Sequence, residues 1–298
     1  MPELTYIQTL VATLGGQPQV VTFTLDLLLR HGVTIGEVIV IHPRAAQARL
    51  RHAIDCLNAE FAGDRYRIDG HLINCHFRPK ILELDHIPLD DITDNTSAKG
   101  TRDTIYSFFE ELKQQPRHIH LSVTGGRRLM SLLAISAAQL KFDSFDHIWH
   151  IYTPEAIQVQ VKEGAQMHVP PTSGVNLIEV PFFPIADYVP FLSQPFSSAQ
   201  AAQQAGKAQM DAQERARCEA FIGIITPRQL ETLRGIAAGF TIQEIADQLC
   251  LSIKTVYNHR DKLLDACAKV WDISEHGPFD HRFLHRHFSR YFETESRV

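Results

Sequence analysis

The chain has 298 residues, 44% of them hydrophobic and 21% charged, enough for one sizeable core plus a small module. Its net charge of −5 excludes a protein coated in basic surface, so any nucleic-acid contact must come from a local patch. Five scattered cysteines without a Cys-x-x-Cys pair argue against a disulfide frame or zinc site and suit a reducing, cytoplasmic setting, while the absence of a basic leader and the shortness of the apolar run 129–140 predict neither export nor a membrane anchor.

Along the first half, β-rich and helical patterns alternate: strand 6–14 and helix 19–30, strand 37–42 and helix 45–61, strand 118–123 and helix 127–140, then strand 147–152. That alternation predicts a parallel sheet covered by helices. A polar stretch, Asp94, Asn95 and Thr96, precedes a helix at Thr101. The run LMSLLAISAAQL is apolar nearly all round and predicts a helix between the sheet and another surface, a partner subunit being one candidate. Segments 157–162 and 175–182 read as β-like, and Pro170, Pro171, Pro181 and Pro184 make them edge or connecting pieces. From 197 to 220 the composition turns to Ala, Gln and charge, predicting a connecting helix with Gly206 as its weak point.

Three short helices follow. Thr226 before Pro227 reads as a cap with proline at the first helical position, and Leu230, Leu233 and Ile236 line one face. Gly239 ends that helix, Thr241 and Glu244 form a capping box for the next, and Ile242, Ile245, Ala246 and Leu249 point inward. Ser252 caps a third helix with Val256, Leu263 and Leu264 buried; its opposite side offers Lys254, Thr255, Tyr257, Asn258, Arg260, Asp261 and Lys262, a polar face that fits a major groove. In the tail, Leu284, Phe288 and Tyr291 or Phe292 fall at helical spacing, so one more helix packs on the module or on its twin.

This segment resembles the LuxR-type helix-turn-helix through Pro227, Arg228, Leu233, Ala237, Gly239, Glu244, Ile245, Ala246, Leu249, Ser252, Thr255, Val256 and His259. The resemblance implies that Tyr257, Asn258 and Asp261 sit nearest base edges while Lys254, Thr255, Arg260 and Lys262 hold phosphates. Cys250 stands where the family has glycine, and Tyr257 where a basic residue is common. A three-helix bundle used only for protein contacts is the alternative.

Two strand ends carry paired glycines, Thr13-Leu14-Gly15-Gly16-Gln17-Pro18-Gln19 and Ser122-Val123-Thr124-Gly125-Gly126-Arg127-Arg128. Rossmann-like sheets bind ligands beyond such strand ends, where backbone N–H groups and helix N-termini favour anions and arginine forks suit phosphate oxygens. ATLGGQPQVVTFTLDLLL, LSVTGGRRLMSLL and DHIWHIYTPE together resemble the CRISPR-associated Rossmann-fold, or CARF, domain, in particular its ring-nuclease group, over residues 1–185. Thr124 and Arg128 depart from that group's Ala-Gly-Gly-Arg-Lys. The resemblance implies a homodimer around a cyclic oligoadenylate, most often the tetra-adenylate. Gly15, Gly16, Gln17 and Thr22 would line one side, Thr124, Gly125, Gly126, Arg127 and Arg128 the other, and Asp94, Asn95 and Thr96, Asn95 first among them, would reach adenine or ribose. If the ring is cut, Arg127 or Arg128 supplies charge and Thr124 or Gln17 orients the attacking 2′-hydroxyl, with no metal and no cofactor.

His276, His281, His285 and His287 lack a completing ligand cluster, His118 and His120 share one strand face, and Asp90, Asp91 and Asp94 have no identifiable partner acid; none is assigned a metal or acid–base site. The expected architecture is α/β: a Rossmann-like parallel-sheet CARF domain (1–185), a linker and connecting helix (186–221), an all-α helix-turn-helix domain (222–270) and a helical tail (271–298). The expected function is a cyclic oligoadenylate sensor that regulates transcription by binding double-stranded DNA, the alternative being a metal-independent ring nuclease. A regulator of an unrelated dinucleotide or sugar phosphate ranks last, because Gly-x-Gly-x-x-Gly is missing.

Overall fold

Strand β1 (Ile7–Thr13) sends Leu10 and Ala12 into one core and Val11 into another, the period-two alternation of a strand covered on both faces. The computed structural model describes residues 6–169, 172–189, 196, 198–272 and 280–295, with side chains to residue 293 in the last stretch. These fall into two compact units, Met1–Gly206 and Lys207–Val298.

In the first unit β1 is followed by α1 (Gln19–Arg30), β2 (Glu37–His42), α2 (Ala48–Glu60), a hairpin of β3 (Arg65–Ile68) and β4 (His71–Asn74), β5 (His76–Ile81) and a small ribbon of β6 (Glu83–Leu84) and β7 (Ile87–Pro88). Then come α3 (Asn95–Lys113), β8 (Arg117–Ser122), α4 (Arg128–Lys141), β9 (His147–Tyr152), α5 (Glu155–Val161) with a 3-10 turn Lys162–Gly164, β10 (Asn176–Glu179) and α6 (Ile185–Tyr188). The main sheet has six strands in the order β10-β9-β8-β1-β2-β5, parallel except for β10, which pairs antiparallel to β9. Val21, Leu25 and Leu28 of α1 and Leu50, Ala53 and Leu57 of α2 cover one face. Ile105, Phe109 and Leu112 of α3 with Ala134 and Ala138 of α4 cover the other.

The parallel sheet and its helices stand as predicted, and the differences have local causes. Residues 157–162 are not β-like. Pro154 precedes α5, its carbonyl accepts from the amides of Ile157 and Gln158, and the sheet edge beside β9 is taken by β10. The alternating Ile157, Val159 and Val161 mislead, since only Val161 is buried and Val159 is 75% exposed. Helix α3 starts at Asn95 rather than near Thr101, because the Asp94 carboxylate accepts from the Ser97 amide at 2.7 Å and Ser97 closes a reciprocal capping box. The sequence reading missed the outermost strand β5, whose Pro79 is tolerable at a sheet edge. Pro170 and Pro171 lie outside the described residues, as does His276.

Helix α7 (Ala199–Ile224) runs through Gly206, where the division between units falls. Ala199 and Ala202 belong to the core of the first unit, Cys218 and Phe221 to that of the second.

The second unit continues with α8 (Pro227–Ala237), α9 (Ile242–Leu249), α10 (Ile253–Val270) and α11 (His281–Glu295). The predicted capping box of Thr241 with Glu244 forms, the Thr226 cap proves to be a second box with Gln229, and Ser252 accepts from the Thr255 amide at 3.1 Å. Gly239 turns the chain at φ 82°, and Cys250 takes the left-handed conformation, φ 52° and ψ 46°, that the family's glycine would occupy. Gly235 admits α9 against α8: a β-carbon there would lie 2.8 Å from Ile245 Cγ1. Leu284 and Phe288 of α11 are fully buried in the core shared with α8, so the tail helix packs on the module itself.

Candidate functional site

The strand order reverses at β1: β2 lies on one side and β8 on the other, which places a crevice where their following loops part. Both glycine turns sit there and touch. A β-carbon on Gly15 would fall 3.0 Å from the Cα of Gly126, and one on Gly125 would fall 2.0 Å from the Thr13 carbonyl oxygen. Gly126 takes φ 78°, open chiefly to glycine. The Thr13 hydroxyl donates to the Gly125 carbonyl at 2.7 Å, and Ser131 donates to the Val123 carbonyl at 2.8 Å, so the second turn is bonded to both its own helix and β1. The turns lead into the N-termini of α1 and α4, whose free N–H groups favour negative charge.

Beside the turns opens a pocket of about 620 Å³, walled by Gln17, Val20, Thr124, Tyr152, Gln158 and Lys162 among others. The Thr124 hydroxyl oxygen accepts from the Ile151 amide at 2.7 Å and lies 3.4 Å from His150 Nδ1. The Gln17 side-chain oxygen accepts from the Glu163 amide at 2.9 Å and from Gln19 Nε2 at 2.6 Å. Arg127 forms a two-pronged ion pair with Asp91, Nε to Oδ1 at 3.0 Å and Nη2 to Oδ2; the guanidinium holds the Asp91 carboxyl below its usual range. Arg128 is exposed and has no ion-pair partner among the described residues. Across the first turn, Arg49 of α2 lies 3.1 Å from Glu163.

Gly15, Gly16, Gln17, Thr124, Gly125, Gly126, Arg127 and Arg128 are therefore gathered at one strand-end crevice. Thr22 is not: it is fully buried, its hydroxyl donating to the carbonyls of Gln19 and Met167, because the helical turn that starts at Gln19 rotates it into the core. Asn95 is exposed on the first turn of α3 and makes no hydrogen bond to either glycine turn. Sequence reasoning missed Asp91, Arg49, Glu163, Tyr152, Gln158 and Lys162. The three acidic side chains near 90–94 each have a role: Asp90 pairs with Arg44, Asp91 with Arg127, and Asp94 caps α3. No local pattern announces such partners.

On α10, Lys254, Tyr257, Asn258, Asp261 and Lys262 are exposed, while Val256 and Leu263 are fully buried. Thr255 is half-buried, its hydroxyl 2.8 Å from that of Ser252. Arg260 is bound to Asp261 at 2.7 Å and its guanidinium stacks over the Tyr257 ring at 4.7 Å from the centroid. His259 is half-buried and ties α10 to α8, its Nδ1 3.0 Å from the Thr232 hydroxyl. Among the described residues no group of three or more His, Cys, Asp or Glu is placed to hold a metal ion, and no helix is long and apolar enough to cross a membrane.

Residues 17–216 match the family model of CRISPR-associated protein NE0113, and residues 224–265 match that of bacterial regulatory proteins of the luxR family. No curated protein matches the chain. Among solved structures, Enterococcus italicus Csm6 bound to cyclic hexa-2'-fluoro-hexa-dAMP is 10% identical with a TM-score of 0.35, the match covering 98% of this chain and 78% of that one. The response regulator StyR is 13% identical with a TM-score of 0.23, covering 95% and 99%. Both superpositions are loose. With more than half its length matched, the chain belongs to the CRISPR-associated NE0113 family and carries a LuxR-type helix-turn-helix after the matched segment.

Proposed function

We propose that the protein is a transcription regulator whose DNA binding answers to a cyclic oligoadenylate, the tetra-adenylate first, held at the switch-point crevice of the N-terminal unit. The contact between the two glycine turns carries this reading, because it puts backbone donors, two helix N-termini and several arginines around one opening. A ring of phosphates with two-fold symmetry calls for two copies of the turn, hence a homodimer. Helix α4 supports pairing: it leaves Leu129 and Leu132 exposed beside Arg128. Helix α7 is the connector, with buried residues in each unit at its two ends, and ligand binding would reset the spacing of paired α10 helices on DNA. In the DNA-bound state Tyr257, Asn258 and Asp261 read base edges, and Lys254, Thr255, Arg260 and Lys262 contact phosphates. The work is placed in the cytoplasm, where such ligands and operators meet. A gel-shift titration against the DNA upstream of the chain's own reading frame tests the coupling: mobility that depends on cyclic tetra-adenylate supports it, and identical shifts with and without the ring remove it.

The pocket observation favours one further reading, a metal-independent ring nuclease. Thr124 and Gln17 both line the pocket with Lys162, and Arg127 and Arg128 follow Thr124 in the same glycine turn, so a hydroxyl, an amide and cationic charge are available to a ribose and its phosphate there. Chromatography of the nucleotide after incubation separates the two readings. A linear product lost in Arg128→Ala supports the nuclease; an intact ring with retained binding supports the sensor.

A further inference from the structure

We infer that Arg49 is an anion-binding residue of the crevice, and that Glu163 occupies it as a stand-in for phosphate until ligand arrives. This rests on the reading of the crevice as a phosphodiester site. Arg49 comes from the first turn of α2, far from either glycine motif in sequence. Its side chain is drawn flat across Gly16, where a β-carbon would lie 2.4 Å from Nε and 2.5 Å from both Cδ and Cγ. Gly16 thus does more than turn the chain. Its bare Cα leaves room for the arginine side chain to lie against the elbow in this position.

The occupant of that guanidinium is built with care. Glu163 sits at φ 56° and ψ 29°, a left-handed conformation that costs a non-glycine residue about 1 kcal/mol. It is held there by the turn itself: Gln17 accepts from the Glu163 amide at 2.9 Å, and Gln19 accepts from the Gly164 amide at 3.1 Å. Side chains of the first glycine turn therefore deliver a carboxylate to the arginine lying on that turn. The second turn has the same arrangement, with Asp91 gripping Arg127 in two-pronged fashion. A carboxylate offers a guanidinium the same pair of oxygens as a phosphodiester. Arg49 and Glu163 are both about half exposed, and pairs of that kind contribute little stability, so a multiply charged ligand can displace the acid. Displacement frees the 3-10 turn, whose Lys162 lines the pocket together with α5, and so couples anion capture to the pocket wall.

Calorimetry on the full chain tests this with two probes, cyclic tetra-adenylate and inorganic tripolyphosphate. Arg49→Ala is expected to weaken binding of the ring about tenfold, and Glu163→Gln to tighten it about threefold by removing the competing charge. The double variant is expected to bind like Arg49→Ala. The tightening is the decisive sign, since a merely structural pair would not improve binding when broken. Equal affinity of wild type and Arg49→Ala, or weaker binding by Glu163→Gln, overturns the inference. If the wild type takes tripolyphosphate through Arg49 but no ring, the anion site stands and the oligoadenylate reading falls. If it takes neither probe, both fall.

Discussion

The two charged surfaces of the molecule close their cations differently, although each leaves some open, Arg128 at the glycine turns among them. At the glycine turns Arg127 and Arg49 are each closed by a carboxylate brought from a distant segment, whereas on α10 Lys254 and Lys262 stand exposed without an ion-pair partner among the described residues, and only Arg260 is closed, by its neighbour Asp261. The first surface is assembled by tertiary contacts between backbones; the second is presented by one capped helix. The difference teaches where each is vulnerable. A turn held by backbone contact has no slack, while a helix face tolerates change so long as its caps survive.

The largest effect should follow from Gly125→Ala, because the added β-carbon would lie 2.0 Å from the Thr13 carbonyl and one backbone must move. Destabilisation of the first unit by about 3 kcal/mol is expected. The chain's two tryptophans make this readable, since Trp149 lies in the first unit and Trp271 in the second. Urea unfolding followed at Trp149 in a Trp271→Phe background checks it, and an unchanged midpoint would mean that the turns are not in contact.

Thr241→Ala removes one half of the α9 capping box and should cost the second unit about 1 kcal/mol. Followed at Trp271 in a Trp149→Phe background, the midpoint should fall; a shift seen only at Trp149 in the reciprocal background would break the comparison. Cys250→Gly should move the same transition the other way, by about 0.5 kcal/mol, because it relieves a left-handed residue while adding freedom to the unfolded chain. Loss of stability there would show that the Cys250 side chain contributes more than its backbone costs.

The smallest effect is one of pH. The hydrogen bond to Asp26, a fully buried carboxylate of α1, raises the pKa of His168, with Glu60 adding to it and burial opposing it. A histidine whose folded pKa exceeds its unfolded one contributes stability that is full below the usual histidine value and lost as pH rises through the folded value. His168 is 41% exposed, so solvent screens the pair. Taken alone, this pair should stabilise the first unit slightly less at about pH 8 than at about pH 6. His120, pushed down to about 4 by burial, and His42, also lowered by burial, act with the opposite sign, each costing stability as pH falls through the usual histidine value of about 6.5, so the His168 contribution is read by difference. His168→Asn should make stability rise more steeply with pH between about 6 and 8 than in the wild type, and an unaltered slope would remove the pair from the account.

Much of this architecture can be read from local pattern. The helix-turn-helix is legible because its signals are short-range: Thr226, Thr241 and Ser252 cap their own helices, and Cys250 marks its own turn. The glycine turns are legible for the same reason, and a parallel sheet follows from the alternation of β and α patterns. What the sequence conceals is the partner of each group. Nothing near Asp91 points to Arg127, nothing near Glu163 points to Arg49, and Thr22 reads as a polar residue next to a ligand loop although helix phase turns it into the core. Residues 157–162 mislead because period-two spacing over so few positions does not tell a strand from a short helix on the surface.

The central claim is a coupling between the crevice and α10, and coupling of two binding sites is reciprocal. Calorimetric affinity for cyclic tetra-adenylate should therefore be measured with the full chain alone and saturated with its upstream DNA duplex. A shift of about tenfold between the two is the predicted result. Ring affinity that is the same with and without DNA would contradict the account.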